Sequence, residues 1–376
     1  MTESFESPAE IFESIKKRLD EARAAFEQVE RGEAKGDTTS AYSVLKEQFD
    51  KTLEEYRQAI LDYTPFRPED RIPTPPLSRA AYSDRMAWVL ANMANMAYIR
   101  FDWANKANRD AEIARLHFCL LSGEYHSRES ESAQPDSGLS FELVDYFDTS
   151  EDLSLGRKKT DTQAFLAKTK SGSFAVLVFR GTQPDIKADI WTDVALTLHK
   201  TRDGEVHTGF RDAYREVQTQ IHESLIKIGK IPLYITGHSL GGALATVAAQ
   251  DLEHKYGDQI AACYTFGSPR VGDGKYEDRI KVPFYRIVNA TDAVTLFPWF
   301  LGDYVHVGDP RYLSRIDMKK MLYRGIPVLV RTRDAILEMM DAARQFHNPL
   351  GVWASAHSMT FYIEKLQKIA ITRKKI

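Results

Sequence analysis

The fold of this 376-residue chain is decided by one stretch, IPLYITGHSLGGALA at residues 231–245. It reads as a short apolar strand, a serine between glycines, and a helix rich in small residues. Gly237 and Gly241 stand two residues before and after Ser239, and a turn that lifts the serine hydroxyl above a sheet leaves no room there for side chains. The stretch therefore predicts a strand–turn–helix elbow with Ser239 as a nucleophile. The alternative is an incidental glycine-rich turn.

Strand-like and helical segments alternate around this elbow. Apolar runs predict strands at residues 141–147, 162–168, 174–179, 231–236, 261–266, 284–289 and 304–307. Helical spacing of apolar residues is seen over 85–121 and 240–254. Such alternation is typical of an α/β fold, with a largely parallel central sheet flanked by helices on both faces.

Composition and charge set the broad class. The chain is 43% hydrophobic and 27% charged, an ordinary globular balance, and its net charge of −3 gives no electrostatic footprint for nucleic acid. The first residues lack the basic and apolar parts of a secretion signal, and no run approaches the roughly 18 apolar residues of a membrane span. Cys119 and Cys263 are expected to be free thiols, as in a reducing compartment. We therefore expect a cytoplasmic protein.

The first 78 residues have a different character from the rest. Apolar residues recur at three- and four-residue steps over 11–29 and 45–63, with a polar loop between them. This pattern predicts an N-terminal helical hairpin, followed by a proline-rich linker. We place a domain boundary near residue 78, with the catalytic domain at 79–376. The hairpin serves either for docking and self-association or as an extra helical layer on the main domain.

A serine nucleophile needs a general base, which in turn needs an orienting acid. In hydrolases with this type of elbow, both follow the serine in the chain. His357 is the preferred base because it lies in a small-residue loop before the last helix. His306, which the pattern places inside a strand, is the alternative. His254 and His347 lie in or after helical runs and are less favoured.

The preferred acid is Asp292. It follows the strand at 284–289, and the carboxyl ends of parallel strands are where α/β sites collect. An aspartate that only forms a turn is the alternative reading. Asp303 and Asp309 are weaker candidates.

The oxyanion of an acyl-transfer reaction needs hydrogen-bond donors. The residue after the nucleophile, Leu240, offers its backbone N–H. A second donor is expected after an earlier strand, where the run at 176–180 ends in Gly181 and Thr182. Thr182 offers both a backbone N–H and a hydroxyl.

Six motifs together resemble those of the fungal-type (class 3) lipases, within the α/β-hydrolase superfamily. They are FRGT (179–182), VHTGF (206–210), TGHSLGGALA (236–245), TFGSPRVG (265–272), VNATD (288–292) and AHSMTFY (356–362). The resemblance implies Ser239, Asp292 and His357 as the catalytic triad, with Thr182 and Leu240 as the oxyanion hole. It also implies hydrolysis of acyl esters of lipids without a metal or organic cofactor.

We therefore expect a lipase or carboxylesterase that works through an acyl-enzyme intermediate on acylglycerols. The alternative is a phospholipase A or lysophospholipase acting at a membrane surface. A catalytically silent binding protein built on a hydrolase frame is the least favoured interpretation, because the sequence holds a complete set of candidate catalytic residues.

Two segments suggest contact with lipid. Ile186, Ile190, Trp191 and Val194 share one helical face, and the resemblance implies that this segment is a lid over the serine. The alternative is an ordinary half-buried surface helix. Residues 311–333 hold seven basic residues and one acidic residue among large apolar ones, a composition that suits a membrane or lipid-droplet surface. The alternative is an insert packed on the core.

Overall fold

The computed structural model describes residues 81–99, 113, 116, 119–120, 139–149, 162–181, 197–289, 292–298, 304–313, 322–324 and 356–372. All of them belong to the second of the two units into which the chain divides, Phe66–Ile376. The hairpin predicted over 1–78, the lid segment and most of 311–333 lie outside the described residues.

Within the described residues, eight strands form one mixed sheet, and two more form a separate antiparallel hairpin. The sheet strands are β1 Phe141–Asp148, β2 Gln163–Thr169, β3 Ala175–Phe179, β6 Leu233–His238, β7 Ile260–Phe266, β8 Phe284–Asn289, β9 Asp309–Leu313 and β10 Leu322–Arg324. The hairpin consists of β4 Leu198–Thr201 and β5 Gly204–His207. The sheet strands lie side by side in chain order.

The centre of the sheet is parallel and its edges are antiparallel. Neighbours from β3 through β6, β7 and β8 to β9 run parallel, whereas β1, β2 and β3 alternate in direction and β10 runs against β9. Parallel strands need crossover connections, which α-helices commonly supply. The prediction of a largely parallel α/β sheet is therefore confirmed.

Helices cover both faces of this sheet. They are α1 Asp84–Met96, α2 Thr208–Ile228, α3 Leu240–Tyr256, the short α4 Gly274–Arg279 and α5 Met359–Thr372. α1 and α5 share one hydrophobic cluster with the sheet, and α2 and α3 share the other. None of the helices in the described ranges is both long and apolar enough to cross a membrane.

Strand β3 shows why these residues form a two-sided core. All five of its residues are buried, and its side chains alternate between the two clusters. Val176 and Val178 face α1 and α5, whereas Leu177 faces α2 and α3. Successive side chains of a strand point to opposite faces, so a strand covered on both sides reads as a continuous apolar run. Burial of each such side chain contributes roughly 1.5–3 kcal/mol.

The prediction of a strand at residues 304–307 is wrong. Within that range Val305 makes only an isolated bridge to Gly272, and the sheet strand is β9 at Asp309–Leu313. Gly308 separates the two with a φ of +82°, a left-handed conformation that ends the extended run. β9 was missed because its sequence, DPRYL, is neither continuously apolar nor alternating.

Candidate active site

Ser239 occupies the junction between β6 and α3. Its φ of 59° and ψ of −129° make it the one non-glycine residue with a positive φ in the described ranges. Such backbone conformations cost about 1–3 kcal/mol and persist only where the surroundings hold them in place. The sharp turn places the side chain at the carboxyl edge of the parallel strands, where α/β folds assemble their sites.

The glycines around Ser239 allow this turn by close backbone packing. A Cβ atom on Gly237 would lie 2.2 Å from the carbonyl oxygen of Gly241. One on Gly241 would lie 2.3 Å from the carbonyl oxygen of Phe179, at the end of β3. Neither position has room for a side chain, so α3 starts directly against two strands.

Three side chains from separate segments meet at this edge. His357 Nε2 lies 2.8 Å from Ser239 Oγ, and His357 Nδ1 lies 2.8 Å from Asp292 Oδ2. Because the carboxylate accepts, Nδ1 carries the proton and Nε2 is left to accept from the serine hydroxyl. The three residues are 5%, 2% and 1% exposed, in the order serine, histidine and aspartate, so little bulk water competes with these hydrogen bonds.

The alternative bases and acids are placed elsewhere. His306 does not lie in a strand: its Nε2 donates to the carbonyl oxygen of Thr295 at 2.7 Å. His254 faces Asp203 on the surface, and Asp309 pairs with Arg311 in β9. His347 and Asp303 lie outside the described residues.

Two further hydrogen bonds fix the carboxylate of Asp292. The hydroxyl of Tyr362 donates to Oδ2 at 2.7 Å, and the backbone N–H of Val294 donates to Oδ1 at 3.0 Å. Burial, reinforced by the nearby Asp292 charge, raises the pKa of Tyr362 well above its usual value, so the phenol stays protonated and donates. Gly267 makes room for the acid, because a Cβ atom there would lie 2.6 Å from Oδ2.

Asn289, the last residue of β8, ties the acid to the base. Its Nδ2 donates to the carbonyl oxygen of Ala356 at 2.8 Å, and its own carbonyl accepts from the N–H of Asp292 at 3.0 Å. Its Oδ1 accepts from Lys365 Nζ at 2.6 Å. Asn289 thus connects two segments: its backbone carbonyl binds the turn that carries Asp292, and its side chain binds the segment that carries His357.

Of the two proposed oxyanion donors, Leu240 lies in the described residues and Thr182 does not. Leu240 is the first residue of α3, so its N–H belongs to the helical turn whose donors have no partner within the helix. Thr182 lies outside the described residues, but Gly181 before it abuts the elbow. A Cβ atom on Gly181 would lie 3.1 Å from Ser239 Cβ and 2.5 Å from the carbonyl oxygen of His238.

This arrangement can deprotonate a serine hydroxyl as it attacks an electrophilic carbon, and can stabilise the imidazolium that results. In the part of the chain that the structure describes, no group of three or more His, Cys, Asp or Glu side chains could hold a metal ion.

Comparison with known proteins agrees with the motifs over part of the chain. The model of the family "Lipase (class 3)" matches residues 176–301, a range that includes Ser239 and Asp292. The resemblance that the motifs indicated is therefore confirmed over these residues.

Three relatives give the extent of the similarity. The lipase of Rhizomucor miehei is 32% identical over 166 residues, which are 41% of this chain and 46% of that protein. Secreted mono- and diacylglycerol lipase A of Penicillium camembertii is 32% identical over 163 residues, 41% and 52% of the two chains. The structure of the Rhizomucor miehei lipase propeptide complex covers 67% of this chain and 75% of that one, at 22% identity and a TM-score of 0.48. The chain thus spans about half the length of the curated relatives it matches.

Proposed function

We propose that this chain, whose residues 176–301 belong to the class 3 lipase family, is a serine hydrolase that cleaves acyl esters of lipids such as acylglycerols. The observation that carries this proposal is the continuous hydrogen-bonded series from Ser239 through His357 to Asp292, both links being 2.8 Å long. A surface serine has neither a base nor an acid aligned behind it.

In the proposed reaction, His357 Nε2 takes the proton of Ser239 as Oγ attacks the ester carbonyl carbon. Backbone N–H groups of Leu240 and Thr182 stabilise the oxyanion, and removal of one such donor typically costs about 3–4 kcal/mol. The intermediate collapses to an acyl-enzyme, and the leaving alkoxide takes the proton from His357. A water molecule, deprotonated by the same imidazole, then releases the fatty acid and restores Ser239.

The substrate class rests on the names that similar proteins carry. Relatives are named lipase and mono- and diacylglycerol lipase, which favours acylglycerols over the phospholipid alternative for this chain.

A panel of purified substrates tests this choice. If acylglycerols are the substrates, we expect the full chain to hydrolyse mono-, di- and triacylglycerols about tenfold or more faster than phosphatidylcholine, compared as kcat/KM values. Released fatty acid is titrated at constant pH, with the Ser239→Ala variant as the blank. Faster hydrolysis of phosphatidylcholine than of any acylglycerol would contradict the proposed substrate.

We further propose that the enzyme works at a lipid surface, a membrane or a lipid droplet. Ser239 is 5% exposed, so a bulky ester needs a segment to move before it can reach the hydroxyl. The segment with Ile186, Ile190, Trp191 and Val194 on one face supplies such a lid, and the basic, apolar stretch at 311–333 supplies attraction to anionic lipid.

Surface activity predicts a sharp kinetic signature. Hydrolysis of a short-chain triacylglycerol should rise abruptly when its concentration passes the solubility limit, because the apolar face of the lid then finds an interface to bind. The rate is measured at increasing substrate concentrations below and above that limit, with all other conditions constant. The Trp191→Ser variant is expected to show a smaller rise at the limit. A smooth saturation curve through the limit in the parent protein would rule out this role of the lid.

The remaining expectations concern assembly and location. The hairpin at 1–78 is proposed as a self-association or docking element beside the catalytic domain at 79–376, and light scattering of the full chain tests it by molar mass. A cytoplasmic location is proposed on the sequence pattern alone. Some relatives carry names that include "secreted", so fractionation of the producing cells decides between the two.

A further inference from the structure

The residue before the nucleophile, His238, points at the candidate base. Its side chain is 4% exposed, and its Nε2 lies 2.7 Å from the backbone carbonyl oxygen of His357. The two imidazole rings face each other with centroids 4.4 Å apart and planes inclined by 34°. The backbone and the ring of His357 are therefore both in contact with one neighbouring side chain.

The other nitrogen of His238 is held by Tyr98, in the turn after α1. The tyrosine hydroxyl lies 2.6 Å from His238 Nδ1. Burial raises the pKa of Tyr98 above its usual value, so the hydroxyl keeps its proton and can donate a hydrogen bond. A carbonyl oxygen can only accept, so Nε2 donates to His357. In a neutral imidazole this leaves Nδ1 to accept from the Tyr98 hydroxyl, so the two partners favour the tautomer of His238 with its proton on Nε2.

The hydroxyl of Tyr98 also lies close to Gly181, two residues after β3. A Cβ atom on Gly181 would lie 2.5 Å from it, so a glycine at this position leaves room for the hydroxyl to reach His238. The Tyr98 hydroxyl therefore lies between Gly181 and His238.

We propose that Tyr98 and His238 are positioning residues for the general base. Tyr98 fixes the tautomer of His238, and His238 Nε2–H holds the main chain of His357 so that its ring stays between Ser239 and Asp292. Neutral His238 also avoids placing a second positive ring against the imidazolium that forms during turnover. The proposal rests on the proposed function, since it assigns these residues to the same hydrolytic site.

Substitutions that keep shape but change hydrogen bonding test the proposal. Tyr98→Phe should lower kcat about tenfold, and His238→Phe about a hundredfold, with KM changed less than about twofold, because a misplaced base slows chemistry and not substrate binding. His238→Gln should recover kcat to within about threefold of the parent, since its amide N–H can replace Nε2–H. Steady-state kinetics on a soluble short-chain ester give kcat and KM separately.

The matched control is Tyr276→Phe. Tyr276 on α4 is 2% exposed, and its hydroxyl has no hydrogen-bond partner among the described residues. Loss of this hydroxyl should leave kcat unchanged, which separates the effect of Tyr98 from that of removing a buried hydroxyl elsewhere in the fold. Melting temperatures of all variants show whether the fold is intact, and where His238→Phe does not fold, Tyr98→Phe decides.

The failure of this proposal differs from the failure of the proposed function. If Tyr98→Phe retains kcat within twofold of the parent while Ser239→Ala is inactive, the hydrolase assignment stands and the positioning role is wrong. A His238→Gln variant as slow as His238→Phe also overturns it, because the hydrogen bond to His357 would then not be the cause. An active Ser239→Ala variant overturns the proposed function itself.

Discussion

Replacing Ser239 with alanine should abolish ester hydrolysis. The expected loss in kcat is on the order of a millionfold, as is typical when the nucleophile of a Ser–His–Asp set is removed. Without Oγ no acyl-enzyme forms, and His357 has no hydroxyl to deprotonate. The assay is fatty-acid release from an acylglycerol, combined with labelling by a fluorophosphonate probe. Mass spectrometry should locate the label on Ser239 in the parent protein and nowhere in the variant.

A second buried serine provides the control for this loss. Ser224 on α2 is 1% exposed, and its hydroxyl donates a hydrogen bond to Asp145 at 2.6 Å. Neither residue takes part in the proposed reaction. Ser224→Ala should keep its kcat and its labelling, although it is expected to be less stable. A Ser239→Ala variant that stays folded and keeps more than about 1% of the parent activity would contradict the assignment of the nucleophile, since residual catalysis without it is far smaller.

The sequence predicted those parts of the fold that follow from local pattern. Parallel strands buried on both faces read as apolar runs, so β3, β6, β7 and β8 were located to within about two residues at each end. β9 was missed because its sequence, DPRYL, is neither a continuous apolar run nor an alternation of apolar and polar residues. The antiparallel pairing at the edges of the sheet was not predicted either, since strand direction depends on connections rather than on the side-chain pattern of one segment.

Of the candidate site, too, the sequence predicted the residues with a local signature and missed those without one. Ser239 carries a local signature in its flanking glycines, and Asp292 and His357 were proposed from their positions after a strand and before a helix. Tyr98 and Tyr362 carry no such signature: the first is 140 residues away from His238, and the second is 70 residues away from Asp292. Their roles arise from tertiary contacts between segments that no periodicity links.

Replacing Asp292 with asparagine should lower kcat about ten-thousandfold while leaving KM nearly unchanged. Three hydrogen-bond donors surround the carboxylate of Asp292, and they determine the orientation of the amide group in the asparagine variant. The N–H of Val294 faces Oδ1, and both Tyr362 and His357 face Oδ2. The backbone N–H of Val294 can only donate, whereas the Tyr362 hydroxyl and the neutral His357 ring can also accept, so the amide oxygen takes the Oδ1 position. The NH₂ group therefore takes the Oδ2 position and faces His357 Nδ1.

This orientation predicts the wrong tautomer of the base. With an NH₂ group opposite it, Nδ1 must accept, so the proton of the neutral imidazole moves to Nε2, which then cannot take the proton of Ser239. Fluorophosphonate labelling should slow together with turnover, because both need a deprotonated serine. Asp251→Asn is the control: this carboxylate also accepts several side-chain hydrogen bonds, but between α2 and α3, and its loss should leave kcat unaffected. If Asp292→Asn keeps kcat within tenfold of the parent, the tautomer of His357 is set by another group, and Asp292 only shapes the turn after β8.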